Sequence, residues 1–189
     1  MINKIRLWWR FDGRYMHKDF AQGVKNLWRW FPIIWKDRDW DQHHIYELLR
    51  KKIEFQAEYI GSRDNYTGAK RDAERMRLVA RLIKLQQDDF YTMEYMDYHE
   101  QDMSFVGIED NLEYFEAVFD QKSERFDEYF AKYPIQYKNV LSGKINRYKR
   151  ARPTKDKQII AMEIAHHNQA RCQKLIFDIM HNHIERWWD

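Results

Sequence analysis

Apolar residues recur at intervals of three and four along most of this chain, and no stretch of useful length alternates with period two. Ile45, Leu48, Leu49, Ile53, Ala57 and Ile60 fall on one stripe, which predicts a helix over residues 39–60. Pro32 and the acids of Asp37 to Asp39 suit the opening of that helix, and Gly61 suits its end. Ser62 is placed to cap a second long helix carrying Tyr66, Ala69, Ala73, Met76, Ala80, Ile83 and Phe90 at the same spacing. A third is predicted from Leu112, Phe115, Phe119, Phe126, Phe130 and Tyr133, stopped by Pro134. A short piece, IQYKNVL, and the loop GKINRYKRARP precede Thr154, a candidate cap for a last helix through Ile160, Ile164, Leu175, Ile179 and Ile184. The expected fold class is all-α: a single domain over 1–189, a bundle of about four long helices with the Trp-rich segment 1–36 packing on it as shorter helical pieces.

Composition sharpens this picture. Six Gly and three Pro in 189 residues leave few breakers, as long helices require, while aromatic residues reach 16%. Cys172 is the only cysteine, so no internal disulfide exists and a reducing compartment is expected. Charged residues interrupt every apolar run before the length a spanning helix needs, and the N-terminus lacks a secretory cleavage pattern. A cytoplasmic protein without stable membrane insertion is expected. Charge is segregated: residues 1–36 carry eight Lys or Arg against Asp12 and Asp19, residues 88–128 carry fourteen acids against Lys122 and Arg125, and residues 143–157 carry seven bases against Asp156. Such asymmetry suits separate partner surfaces or attraction between segments.

Three constellations carry candidate chemistry. Asp41 with His44, Glu163 with His166, and Asp178 with His181 each place a carboxylate and an imidazole three residues apart on one helical face. Two Glu-x-x-His pairs plus two further carboxylates would build a di-metal site in a bundle; only one pair here contains Glu, so the metal alternative is Asp41, His44, Glu163 and His166 with remaining ligands from Glu94, Asp97, His99 or Glu100. Nucleophilic catalysis has no such support: Cys172 sits on an apolar stripe with Ile176 and Ile179, and no nucleophile elbow, phosphate loop or CxxC pair occurs. The third constellation is polar residues on apolar stripes. The face of Ile160 and Ile164 continues to His167 and Arg171, and Arg71 stands with Asp64 and Asp72 beside Ala69 and Ala73. Buried cations need an acid, an aromatic face or an anionic ligand, and a guanidinium suits bidentate anions best.

The stretches GVKNLWRWFPIIWKDRDWD, LLRKKIEFQAEYI, AKRDAERM and QDDFYTMEYMDYHE, with the closing IERWWD, resemble a family of small proteins of tailed bacteriophages marked by a WFPxIWKDRDWD motif and a C-terminal WWD. The resemblance spans most of the chain and carries no catalytic residues. It implies a phage product in the cytoplasm of a host bacterium, acting on nucleic-acid metabolism or against host defence. In that setting Trp28, Trp35 and Trp40 either anchor the N-terminal pieces or stack on a purine. The leading expectation is binding rather than catalysis: a small anionic, nucleotide-like ligand, such as a host defence signal, held without a cofactor by Trp40, His44, Arg71, His167 and Arg171. One alternative is an interaction module using the acidic 88–128 segment on a host enzyme or defence protein, or the basic 143–157 segment on nucleic acid. Others are the di-metal enzyme and a membrane-surface role for the basic Trp-rich N-terminus. Trp pairs at Trp8–Trp9 and Trp187–Trp188 suggest a homodimer.

Overall fold

In the computed structural model, residues 9–10, 13–37, 41–63, 66–108, 111–149 and 154–188 are described. Contacts divide the chain into two units, 1–49 and 50–189, with the boundary inside a helix. In the first unit a 3₁₀ turn, Gly13–Tyr15, leads into α1, Met16–Ile34, and the start of α2, Gln42–Arg63, follows. Pro32 lies inside α1 rather than at the opening of α2. It has no N–H to offer the Trp28 carbonyl, and the helix ends two residues later, with the Trp35 N–H bonded to the Phe31 carbonyl at 2.9 Å. No residue of α1 is buried. Asp41 caps α2: its Oδ1 accepts the His43 N–H at 2.8 Å. Asp39 and Trp40 lie outside the described residues.

The second unit begins with the remainder of α2, in which Ile53, Ala57 and Ile60 are buried as their spacing predicts. The helix does not stop at Gly61. A Cβ there would stand 3.2 Å from the Ala73 Cβ and 2.8 Å from an Arg77 guanidinium nitrogen, so this glycine is what lets α3, Ala69–Gln87, pass so close. Ser62 lies inside α2, and its hydroxyl donates to the Tyr59 carbonyl at 3.1 Å, within its own helix. The turn is made instead by Gly68, whose φ of +106° suits glycine alone. Arg50 meets Gln87 at one end while Gly61 meets Ala73 at the other, so α2 and α3 run antiparallel. Ala69, Ala73, Met76, Ala80 and Ile83 are all buried, joined by Val79 and Leu82.

A short helix, α4 (Phe90–Met93), and a 3₁₀ turn, Glu94–Tyr98, lead to the largest departure from expectation. Residues 99–124 do not belong to a third long helix. They form an antiparallel hairpin, β1 (His99–Ile108) with β2 (Asn111–Glu124), paired from His99 opposite Glu124 to Ile108 opposite Asn111 with shifts of register after Glu100 and after Gly107. Phe105, Val106, Tyr114, Phe115, Val118 and Phe119 are residue types that favour strands, and they are dense enough that threefold spacing among them does not discriminate. The fold is therefore mostly helical, as the spacing predicts, but a two-stranded sheet stands in place of the expected third long helix of a four-helix bundle.

Two short helices, α5 (Phe126–Lys132) and α6 (Pro134–Leu141), pack on the long α7, Lys157–His183. Their core joins Phe126, Tyr129, Phe130 and Val140 to Ile160, Ala161 and Ile164. Phe130 and Tyr137 stack with centroids 4.5 Å apart. Asp156, not Thr154, caps α7 by accepting the Ile159 N–H at 3.2 Å. Past α7 a 3₁₀ turn, Ile184–Trp188, buries Trp187, whose carbonyl accepts from the Gln56 amide of α2 at 2.8 Å.

Candidate functional site, a cleft along α7

The buried stripe of α7 begins at Ile160 and Ile164 and continues to Asn168, Cys172 and Ile176. Each step of four turns about 40° past a full revolution, so the stripe winds around the helix. The winding matches a change of neighbours. The first half faces α5 and α6, whereas the second meets α3, with the Cys172 thiol 3.5 Å from the Leu82 carbonyl and the Gln169 amide 3.3 Å from that of Gln86. His167 and Arg171, placed by the sequence on the core face, are left at its margin: His167 is half-buried and Arg171 is exposed.

Beside that margin lies an open cleft of about 440 Å³, within the usual range for small-ligand sites. Leu82, Cys172 and Leu175 give it an apolar lining, Tyr91 and Tyr133 supply phenols, and Gln136 and Asn168 supply amides. Arg171 and Lys174 bring two cations and Asp178 one carboxylate. Neither cation is ion-paired among the described residues. Asn168 is 7% exposed and its Nδ2 has no hydrogen-bond partner there. Such a donor costs about 1–3 kcal/mol if nothing accepts from it.

The cleft wall is held by a buried acid. Glu94, 6% exposed, accepts the Tyr133 hydroxyl at 2.7 Å on one oxygen and the Lys132 ammonium on the other. Burial, and then the bond to Glu94, push the Tyr133 phenol well above its ordinary value, so it remains a neutral donor. Burial likewise raises Tyr91 and the Cys172 thiol. An un-ionised thiol is a poor nucleophile, and the groups facing the cleft are suited to holding a ligand.

No family model, curated protein or solved structure matches this chain. The site therefore rests on its own geometry.

The expected ligand residues do not gather there as a set. Arg171 lines the cleft, and His167 is its electrostatic neighbour, its pKa lowered first by burial and then by that guanidinium. Arg71 lies elsewhere. It is mostly exposed, its Nε 3.7 Å from Asp72, and its charge is felt at His183, twelve residues and about 18 Å along α7 from Arg171. Asp72 is buried and takes the Arg75 guanidinium at 3.0 Å and the Tyr66 hydroxyl at 3.3 Å, a network local to α3 and the turn that enters it. His44 belongs to the first unit, where its Nε2 stands 3.3 Å from the Asp37 carboxylate.

Among the described residues no group of three His, Cys, Asp or Glu side chains is arranged to hold a metal ion. The residues of the metal alternative do other work. Asp41 caps α2, the buried Glu163 accepts the Arg147 backbone N–H at 2.9 Å, and His166 meets the Tyr148 ring edge-on. Sequence reasoning missed Asn168, Gln136, Lys174 and the two tyrosines. Only Asn168 left a signal, as the residue four beyond Ile164 on the apolar stripe.

Proposed function

We propose that residues 50–189 form a binding module for a small anionic ligand, seated in the cleft along α7. One observation carries this reading: the buried Asn168 amide has a donor without a partner in a cleft that also presents two unpaired cations, Arg171 and Lys174. An anion accepting from Asn168 and held by both Arg171 and Lys174 would satisfy all three groups. The flanking phenols of Tyr91 and Tyr133 suit a ligand with a flat ring, which favours a nucleotide-like compound. The resemblance to phage proteins directs the search toward nucleotide signals of host defence, with the protein sequestering such a signal.

Calorimetry with cyclic dinucleotides, ADP-ribose and their linear counterparts tests the proposal. Binding to one of these should weaken at least about tenfold in Arg171→Ala and in Asn168→Leu, the loss expected for one charged or buried hydrogen bond. Binding unchanged in both variants, or absent in the wild type, would remove the reading.

A second reading, an interaction module, is favoured by the hairpin. It concentrates acids from Glu100 to Glu124 and leaves Phe105, Val106 and Val118 exposed. A basic host enzyme is the fitting partner. The companion idea that residues 143–157 hold nucleic acid is weakened at Lys157, whose ammonium is engaged by Asp127 at 3.1 Å and Glu124 at 3.3 Å.

A further inference from the structure

The most unusual surface of this protein is α1. Every large apolar side chain along one arc of it is open to solvent, with Phe20 75%, Leu27 72% and Trp28 83% exposed. At about 100° per residue, Phe20, Val24, Leu27, Phe31 and Ile34 fall within roughly 40° of one line along the helix. Trp28 and Trp35 stand on one shoulder of this arc, and Trp30 on the other. Lys18, Lys25, Arg29 and the following Lys36 occupy the opposite side, and Asp19 is the one acid in the helix.

Polarity is thus graded around the axis, from hydrocarbon at the centre, through indoles at the shoulders, to ammonium and guanidinium groups. The edge of a bilayer has the same order: acyl chains, then the glycerol and carbonyl level where Trp concentrates, then charged headgroups. A helix of low net hydrophobicity with a wide apolar arc and a basic back lies in that plane rather than crossing it. No helix among the described residues is long and apolar enough to span a membrane, which fits an in-plane mode. The excess of positive charge selects anionic lipid.

We infer that α1 is a membrane-surface anchor, which lays the Phe20–Leu27–Phe31 line into the interface of a bilayer rich in anionic phospholipid. This inference is independent of the cleft along α7. A protein groove or a second copy of the chain could cover the same arc, but the order from hydrocarbon through the Trp28 and Trp35 indoles to the basic back is that of a bilayer edge.

Co-sedimentation of the full chain with vesicles tests it. The wild type should pellet with vesicles of mixed phosphatidylglycerol and phosphatidylcholine, and about tenfold less with phosphatidylcholine alone. The triple variant Phe20→Ser, Leu27→Ser, Phe31→Ser should lose at least about tenfold in partitioning, since the apolar contact is gone. The double variant Lys25→Glu, Lys36→Glu should lose a similar factor on the anionic vesicles and little on the neutral ones. All five positions are exposed, so circular dichroism should report unchanged folding. A wild type that stays in the supernatant with the anionic vesicles, or a triple variant that pellets like the wild type, overturns the inference. Light scattering without lipid closes the remaining route: a wild-type dimer that the triple variant dissolves would assign the face to a second copy and overturn it as well.

Discussion

Two residues show how single positions decide this fold. Gly61 sits in a helix where alanine would ordinarily gain about 1 kcal/mol. Here the added methyl would press on Ala73, whose Cβ belongs to a packed neighbour and cannot swing aside as the Arg77 side chain can. Overpacking of this kind costs about 1–3 kcal/mol, so Gly61→Ala should destabilise by about 1 kcal/mol, read as a lower urea midpoint at unchanged slope. Glu94 is the second case. Its carboxylate is buried and joins the chain segments around residues 94 and 133, so Glu94→Leu should lower stability by about 2 kcal/mol and free the Tyr133 wall of the cleft. The partner Lys132 is half-exposed, which keeps the expected loss below that of a fully buried pair. Neither role was legible in the sequence. Gly61 reads as a helix stop, and Glu94 is one acid among fourteen in an acidic stretch, because what distinguishes each is a neighbour remote in the chain.

At the level of elements, spacing was a good guide where one helix face meets one neighbour throughout. Ala69, Ala73, Met76, Ala80 and Ile83 of α3 are buried because α3 keeps one face turned inward along its length. It failed along α7, which changes neighbours midway, so that the stripe drifts from Ile164 to Asn168 and Cys172 and Arg171 is left outside. The hairpin is the plainest miss, and its energetics explain why. Beyond its base its principal contacts are with itself, while His99 stacks on Phe126 at 5.3 Å and the Arg125 N–H bonds the Tyr98 carbonyl. A two-stranded ribbon contributes little to the stability of the body that carries it. Replacing residues 103–119 by a short Asn-Gly turn should therefore leave the thermal midpoint of the second unit within a few degrees, measured by circular dichroism. A collapse of the midpoint would mean that the strands pack on the helices after all.

Across the whole molecule, ionisation couples to stability through α7. His166 and His167 both titrate below the ordinary imidazole range, chiefly because burial disfavours the charged ring, with Arg147 repelling the first and Arg171 the second. Glu163 offsets part of this at His166. The unfolded chain therefore binds more protons than the folded one below about pH 6.5, and stability should be complete above that value and fall as the solution is acidified through it. The thermal midpoint followed from pH 7.5 to 5 should show the decline, and His166→Gln with His167→Gln should reduce it, leaving the share of His183, which burial also holds below its ordinary value. A midpoint insensitive to this range would show that the two rings are solvated in the folded protein. The sequence by itself determined the mostly helical character, the presence of α2, α3 and α7, the buried stripe of α3, the segregation of charge, and Arg171 as a candidate cation. It could do so because these follow from local periodicity and composition. The tertiary structure alone decided that residues 99–124 pair as strands, that Gly61 is a close crossing, that Arg71 and Arg171 lie at different stations along α7, and that Asn168 has a spare donor beside a cleft. The reason is that burial and pairing depend on which distant segment arrives at each face, and helical spacing carries no record of that arrival.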